Sequence, residues 1–322
     1  MTTLRKQTLT EIEAIGLKSQ YDLANGHASY ELAPTQQKII DNLPKIWSES
    51  AQQKSRDAEN MFKHAFLQLA NTPSLLHYSH FKICPTASNS IDIVAAWLAV
   101  KKYKTALIEP TFDNLYLILK RRGVALYALP EKALHEREFS EHISHVDAVF
   151  IVNPNNPTGK MISRELFFEI ITWCKAHNKL LVIDNSFRFF VPQLFDMYEL
   201  LINENVDFLS LEDTGKVWPT QEIKASLLFT SKKIYREVNA IYDEIFICHS
   251  NFALRLLTEF FTDAHTKGLA KSVWEKVNER RKSFRDALDN RILSVHPESQ
   301  HSTLSVEWIK VKDCFHSDID CV

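Results

Sequence analysis

The stretch that most constrains this chain is Val149-Phe150-Ile151-Val152-Asn153-Pro154-Asn155-Asn156-Pro157-Thr158-Gly159, an apolar run that enters a loop dense in Asn, Pro and Gly. The run is short, rich in β-branched residues and bounded by breakers, so it predicts a strand buried on both faces, as in a parallel sheet. Proline cannot donate to a ladder and glycine tolerates positive φ, so the strand must end in a shaped loop. Ser163 to Cys174 then predicts a helix, with Ser163 as N-cap and Leu166, Phe167, Ile170, Ile171 and Cys174 along one face. A second apolar run, Lys179-Leu180-Leu181-Val182-Ile183, ends at Asp184. The result is a strand, helix, strand unit with polar residues at both carboxyl ends, where open α/β sheets bind ligands. Taken alone, the loop admits a second reading, a well-formed turn and nothing more.

Strand and helix patterns alternate on both sides of this unit. Residues 1–54 read as mostly helical, interrupted by the turn signal Asn25-Gly26 with His27 beside it; by composition this is a surface turn with an incidental histidine. Pro34 to Trp47 resumes helical spacing, with Ile39, Ile40, Leu43 and Trp47 as the buried stripe. Lys54 to Asn60 is a hinge or a helix surface, and Ala58 to Leu69 predicts a helix. Phe81 to Cys84 predicts a strand, followed by Ser88, Asn89 and Ser90 at the start of a helix. Small hydroxylated residues there put free N–H groups at the positive end of the dipole, an anion site or a plain N-cap. The strand Thr105 to Glu109 leads to Phe112, an aromatic placed either in the core or against a planar ring. Further strands are expected at Val124 to Leu129, Val206 to Leu211 and Ile223 to Thr230, helices from Ser231 to about Leu288, and strand-like alternation from Arg291 onward.

Bulk properties narrow the classes. With 322 residues the chain can bury a sizeable core, and a formal charge of −2 gives no reason to expect nucleic acid or an anionic membrane as partner. The N-terminus lacks the apolar core of a signal peptide and no run approaches a membrane span, so a cytoplasmic protein is expected. The five cysteines (Cys84, Cys174, Cys248, Cys314, Cys321) are scattered without CxxC spacing. They predict buried hydrophobes, with no disulfide framework and no metal site.

Four loops at strand ends thus offer a phosphate-suited helix start, an aromatic, an Asn and an Asp, with Lys216 further on. That set is what a pyridoxal phosphate site needs. The NPNNPTG loop, Asp184 and Lys216, in that order, resemble the aspartate aminotransferase superfamily, the fold type I pyridoxal phosphate enzymes. The resemblance implies a three-layer α/β/α, mostly parallel sheet with a smaller α+β domain. It makes Lys216 the Schiff-base lysine and general acid/base, Asp184 the partner of the ring nitrogen, Asn156 a donor to the phenolate oxygen and Phe112 the stacking ring. Ser88, Asn89, Ser90, Asp213 and Lys224 stand where the family holds the phosphate. Phe187 stands where many members have a tyrosine, Asp213 where serine is usual, and Lys224 where arginine is usual, so a bidentate fork becomes a point charge.

A narrower resemblance rests on Glu212-Asp213-Thr214-Gly215-Lys216-Val217-Trp218-Pro219-Thr220, with Asn25-Gly26-His27 and Ser186-Phe187-Arg188. These segments are similar to the O2-dependent arginine hydroxylase/oxidase subgroup, whose N-terminal segment folds over the substrate. This implies a free basic amino acid, arginine, as substrate, a cofactor-stabilised carbanion that meets O2, and His27 as an active-site residue. Glu13 and Asn25, where the subgroup has Asp, fall near the guanidinium. Family members continue past this chain's end through a small-domain arginine that binds the α-carboxylate, so the C-terminus reads as truncated and Arg188 or a partner subunit is the expected substitute. A homodimer is expected, with residues 1–54 covering the active site and forming part of the small domain, 55–260 forming the large domain and 261–322 an incomplete small C-terminal domain. A conventional class I/II aminotransferase and a degenerate, non-catalytic cofactor binder are the alternatives.

Overall fold

A computed structural model describes residues 8–20, 26, 28, 30–192 and 195–312. Asn25, His27, Cys314 and Cys321 lie outside them. Its centre is a seven-stranded sheet built from β1 (Phe81–Cys84), β2 (Lys104–Glu109), β3 (Ala125–Pro130), β4 (Ala148–Val152), β5 (Leu180–Asp184), β6 (Phe208–Asp213) and β7 (Ser226–Thr230). The order across the sheet is β1-β7-β6-β5-β4-β2-β3. The pairs β2–β3, β2–β4, β4–β5 and β5–β6 are parallel, whereas β7 runs antiparallel to both β6 and β1. Every residue of β4, β5, β6 and β7 is buried, as helices on both faces require. The mostly parallel α/β architecture expected from the sequence is present.

The organising unit forms as its residues dictate. The Ser163 hydroxyl accepts from the Leu166 amide and caps the helix Arg164–Ala176, whose Leu166, Phe167, Ile170, Ile171 and Cys174 are all buried. Register sets Val152 opposite Asp184 and Asp184 opposite Leu211, so the polar ends of β4, β5 and β6 finish level. The helix Ala87–Lys101, capped by Thr86, packs against β6 and β7. A second, two-stranded sheet pairs β8 (Leu293–Val295) with β9 (Ile309–Val311). The helix Asn251–Lys267 packs on the helices Ser55–Leu69 and Leu43–Gln52, and residue 260 falls inside it.

Three expectations are corrected. Trp47 is 65% exposed while Ile46 is buried, because the N-terminal helical pattern breaks at Asn42 and the second helix, Leu43–Gln52, restarts in a different phase. Leu304 and Val306 lie outside the C-terminal strands; Leu304 is buried and Val306 packs against the core. Cys248 is exposed, unlike Cys84 and Cys174. Lys54 to Asn60 resolves as a helix surface, since Ser55 opens the helix to Leu69. Among the described residues no helix is long and apolar enough to cross a membrane, and no group of three or more His, Cys, Asp or Glu is placed to hold a metal.

The NPNNPTG loop is rigidly seated. Asn153 N–H donates to Asp184 O, and Asn153 Oδ1 accepts from Ile162 N–H. Gly159 has φ +72°, and a Cβ built on it would lie 2.3 Å from Ser302 Oγ and 2.8 Å from Ser302 Cα. Gly159→Ala therefore meets both a left-handed backbone and a backbone clash that no rotamer relieves. The expected loss is about 2 kcal/mol or more, read by thermal melting.

Candidate active site

A cavity of about 490 Å³ opens at the carboxyl ends of the central strands, lined by Thr86, Ser88, Phe112, Asn156, Phe187 and Lys216 among others. Lys216 follows β6 in the turn to β7, and its Nζ lies 4.0 Å from the Phe187 ring centroid and 5.8 Å from that of Phe112. Asp213 shapes this turn: its Oδ1 accepts the N–H groups of Thr214 and Gly215. A Cβ at Gly215 would lie 2.7 Å from Lys224 Cδ, so a larger residue there would have to displace the Lys224 side chain. Lys224 lines the cavity and pairs with Glu222 at 3.0 Å.

Asp184 ends β5 two residues before the cavity-lining Ser186 and Phe187. Its Oδ1 accepts Ser186 N–H at 2.8 Å, while the buried Oδ2 has no hydrogen-bond partner among the described residues. Burial pushes its pKa up, against the pull of Ser186 and of the Lys216 charge.

The helix Ala87–Lys101 aims its N-terminus at the same cavity, but not every expected residue faces it. Ser88 lines the cavity, whereas the Asn89 amide and side chain are engaged by Thr86. Ser90 is turned into the core, where its hydroxyl meets Ser226 Oγ at 2.8 Å. The amides of Ala87 and Ser88 precede the first intrahelical hydrogen bonds and carry the positive end of the dipole. Thr86 was the missed contributor, legible as an N-cap after Pro85.

Arg188 is corrected. It is buried away from the cavity, with Nε donating to both Glu212 oxygens and one guanidinium nitrogen 2.8 Å from Oε1. Tyr198 OH donates to Glu212 Oε1 and shares Ser210 Oγ with Asn185 Nδ2. Burial pushes the Glu212 carboxyl up, and Arg188 pulls it back toward ionisation. Position 188 follows a strand end where a charged side chain can turn inward or outward, and sequence carries no signal for which.

The cavity roof comes from the chain's ends. Glu13, in the helix Leu9–Gly16, lines it together with Ile12, Gly26 and Val306, and Gly26 and Val306 approach each other. Tyr30 OH donates to Val217 O beside Lys216. Asp113 and Asn114, at the start of the helix Asp113–Arg121, also line the cavity. Of the residues expected here, Asn25 and His27 lie outside the described set.

The family model "Aminotransferase class I and II" matches residues 55–308. The chain belongs to this family. Its fold resembles MppP, solved after soaking with the product 2-ketoarginine, with 33% identity, a TM-score of 0.82, and coverage of 90% of this chain and 82% of that one. It also resembles the histidinol-phosphate aminotransferase of Clostridium acetobutylicum (TM-score 0.63, 18% identity, 85% of this chain and 80% of that one). In sequence it is 26% identical to the histidinol-phosphate aminotransferase of Clostridium kluyveri over 154 residues, 46% of this chain and 42% of that protein. The LL-diaminopimelate aminotransferase of Prochlorococcus marinus matches at 24% over 156 residues, 45% of this chain and 38% of that protein. The matched segments thus span under half the length of these curated relatives.

The family's cofactor is pyridoxal phosphate, and the cavity fits it. The unfilled Asp184 Oδ2 is a buried acceptor that awaits a cationic N–H, which is what a protonated pyridine offers. The helix N-terminus at Ser88, with Lys224, is suited to the phosphate.

Two outcomes follow. Because Asp184 has a raised folded pKa, its favourable contribution to the cofactor-free protein is complete below the unfolded carboxylate range and is lost as pH rises through the folded value. Asp184→Asn should therefore flatten the fall in melting temperature of cofactor-free protein from about pH 4 to about pH 7; parallel curves would sink this account. Arg188→Met strands Glu212 and should cost about 3–5 kcal/mol in urea unfolding, whereas Arg188→Met with Glu212→Leu should cost less than the single change.

Proposed function

We propose that this protein is a pyridoxal phosphate enzyme that oxidises a free basic amino acid, L-arginine, with O2 as electron acceptor. The observation that carries the reading is the likeness to MppP over 90% of the chain at 33% identity, with 2-ketoarginine as the product soaked into that structure. Lys216 is the lysine that binds the cofactor and then moves the proton of the substrate α-carbon. Its Nζ lies 4.0 Å from the Phe187 ring centroid and 5.8 Å from that of Phe112, at the cavity wall. When bound, pyridoxal phosphate supplies a ring that accepts the electrons left by that proton.

The remaining roles follow from position. Asp184 would hold a proton on the ring nitrogen of a bound cofactor, Asn156 would donate to its phenolate oxygen and Phe112 would cover one ring face. Ser88, the helix N-terminus and Lys224 hold the phosphate. Asp213 acts by shaping the turn that presents Lys216. Glu13 faces the substrate's guanidinium, with Asn25 and His27 as the further expected contacts. The balance is arginine, O2 and water to 2-ketoarginine, ammonia and hydrogen peroxide.

The curated relatives favour a second reading, a conventional aminotransferase. One experiment separates the two. Cofactor-loaded protein is given arginine in an oxygen electrode, with and without 2-oxoglutarate. Oxygen uptake without the keto acid is the expected result; turnover that requires 2-oxoglutarate and consumes no oxygen would establish the aminotransferase instead. Glu13→Gln is expected to raise KM for arginine about tenfold, as loss of one charge-assisted contact does, with kcat less affected.

A further inference from the structure

Glu131 is a carboxylate with no part in the roles above. It follows β3, and its side chain is fully buried. Its Oε1 accepts from Asn155 Nδ2 at 2.8 Å and from Thr158 Oγ1 at 2.7 Å. Lys160 Nζ lies 3.2 Å from Oε2, close enough for an ion pair but off the line of a hydrogen bond, and 3.0 Å from Glu298. All three partners belong to the loop that carries Asn156. Asn155 Nδ2 also donates to Pro110 O at 2.8 Å, two residues before Phe112. Asn156 and Phe112 both line the cavity. Two walls of the site are therefore joined, behind the surface that a ligand would touch, by the Asn155 amide, which one buried carboxylate holds in place.

We infer that Glu131 is a positioning residue that fixes the separation of Asn156 and Phe112, and with it the slot that receives the cofactor ring. The inference rests on the cofactor reading of this cavity. Asn155 has two amide hydrogens and gives them to two acceptors, Glu131 and Pro110, so its side chain is locked between the loops. Without Glu131, one of those hydrogens and the Thr158 hydroxyl lose their acceptor in a place closed to water, and Lys160 keeps only Glu298. Both loops are then free to shift by amounts that matter to a planar ligand held on two sides.

The test uses the full chain, stripped of cofactor and titrated with pyridoxal phosphate, in wild type, Glu131→Gln, Glu131→Ala and Thr158→Val. Affinity and the visible absorbance maximum of the bound cofactor are read, together with the melting temperature before loading. Glu131→Gln keeps the Oε1 acceptor and should bind within about threefold of wild type. Glu131→Ala should bind about tenfold more weakly and move the absorbance maximum, since a hydrogen bond to the ring oxygen is altered. A purely structural role would lower the melting temperature and leave that maximum in place. If Glu131→Ala does not fold, Thr158→Val decides, with a smaller displacement in the same direction. Folded variants with wild-type affinity and wild-type absorbance would overturn the inference. Wild-type protein that takes up no cofactor would overturn the cofactor reading instead, and this inference with it.

Discussion

A carboxylate that has lost its water and has one oxygen unfilled is the constraint on which the rest of the site depends. Asp184 ends β5, with β4 and β6 paired on either side, and nothing of its side chain reaches solvent. Such a group is costly unless a cation meets it. The sheet can hold it because the neighbouring strands deliver the other parts of the site at the same level: β4 the Asn156 loop, β6 the Lys216 turn, and the helix after β1 its positive end. The strain of burying Asp184 and the geometry of the cavity are one fact seen from two sides.

A second buried charge lies close by and is treated differently. Glu212 stands next to Asp213 in the chain, yet it points to the opposite side of β6, as alternation along a strand requires. There Arg188 and Tyr198 satisfy it, whereas Asp184 is left with an unfilled oxygen. The contrast separates the two uses of buried charge in this fold. Glu212 is closed by the protein and belongs to its framework; Asp184 keeps one buried oxygen with no hydrogen-bond partner among the described residues.

What could be read from the sequence is what local pattern encodes. The β4 run, the Ser163 cap and the five-residue apolar stripe behind it were all legible, because a strand buried on both faces and a capped amphipathic helix leave periodic signals. Phe112, Asn156, Phe187 and Lys216 were named from their order at strand ends and by resemblance, and the structure gathers them around one cavity. Pattern failed where direction depends on distant partners. Ser90 looked like a ligand-facing hydroxyl but meets Ser226, and Arg188 looked like a substrate residue but meets Glu212. Trp47 was misassigned because one break at Asn42 changes the phase of everything after it. Glu131 gave no signal at all: its partners lie 24 and 27 residues away, and an acidic residue after an edge strand reads as surface.

The charges around the cavity bear on which amino acid it suits. Its walls carry the carboxylates of Glu13, Asp113 and Asp213 and the ammonium groups of Lys216 and Lys224. A bound phosphate would engage Lys224, and Lys216 gives up its free ammonium when it joins the cofactor. Asp213 is spent on the amides of its own turn. Glu13, from the helix Leu9–Gly16, lines the same cavity. An acidic side chain would meet like charge at Glu13. A cationic side chain would meet opposite charge there, which is consistent with the basic amino acid proposed above.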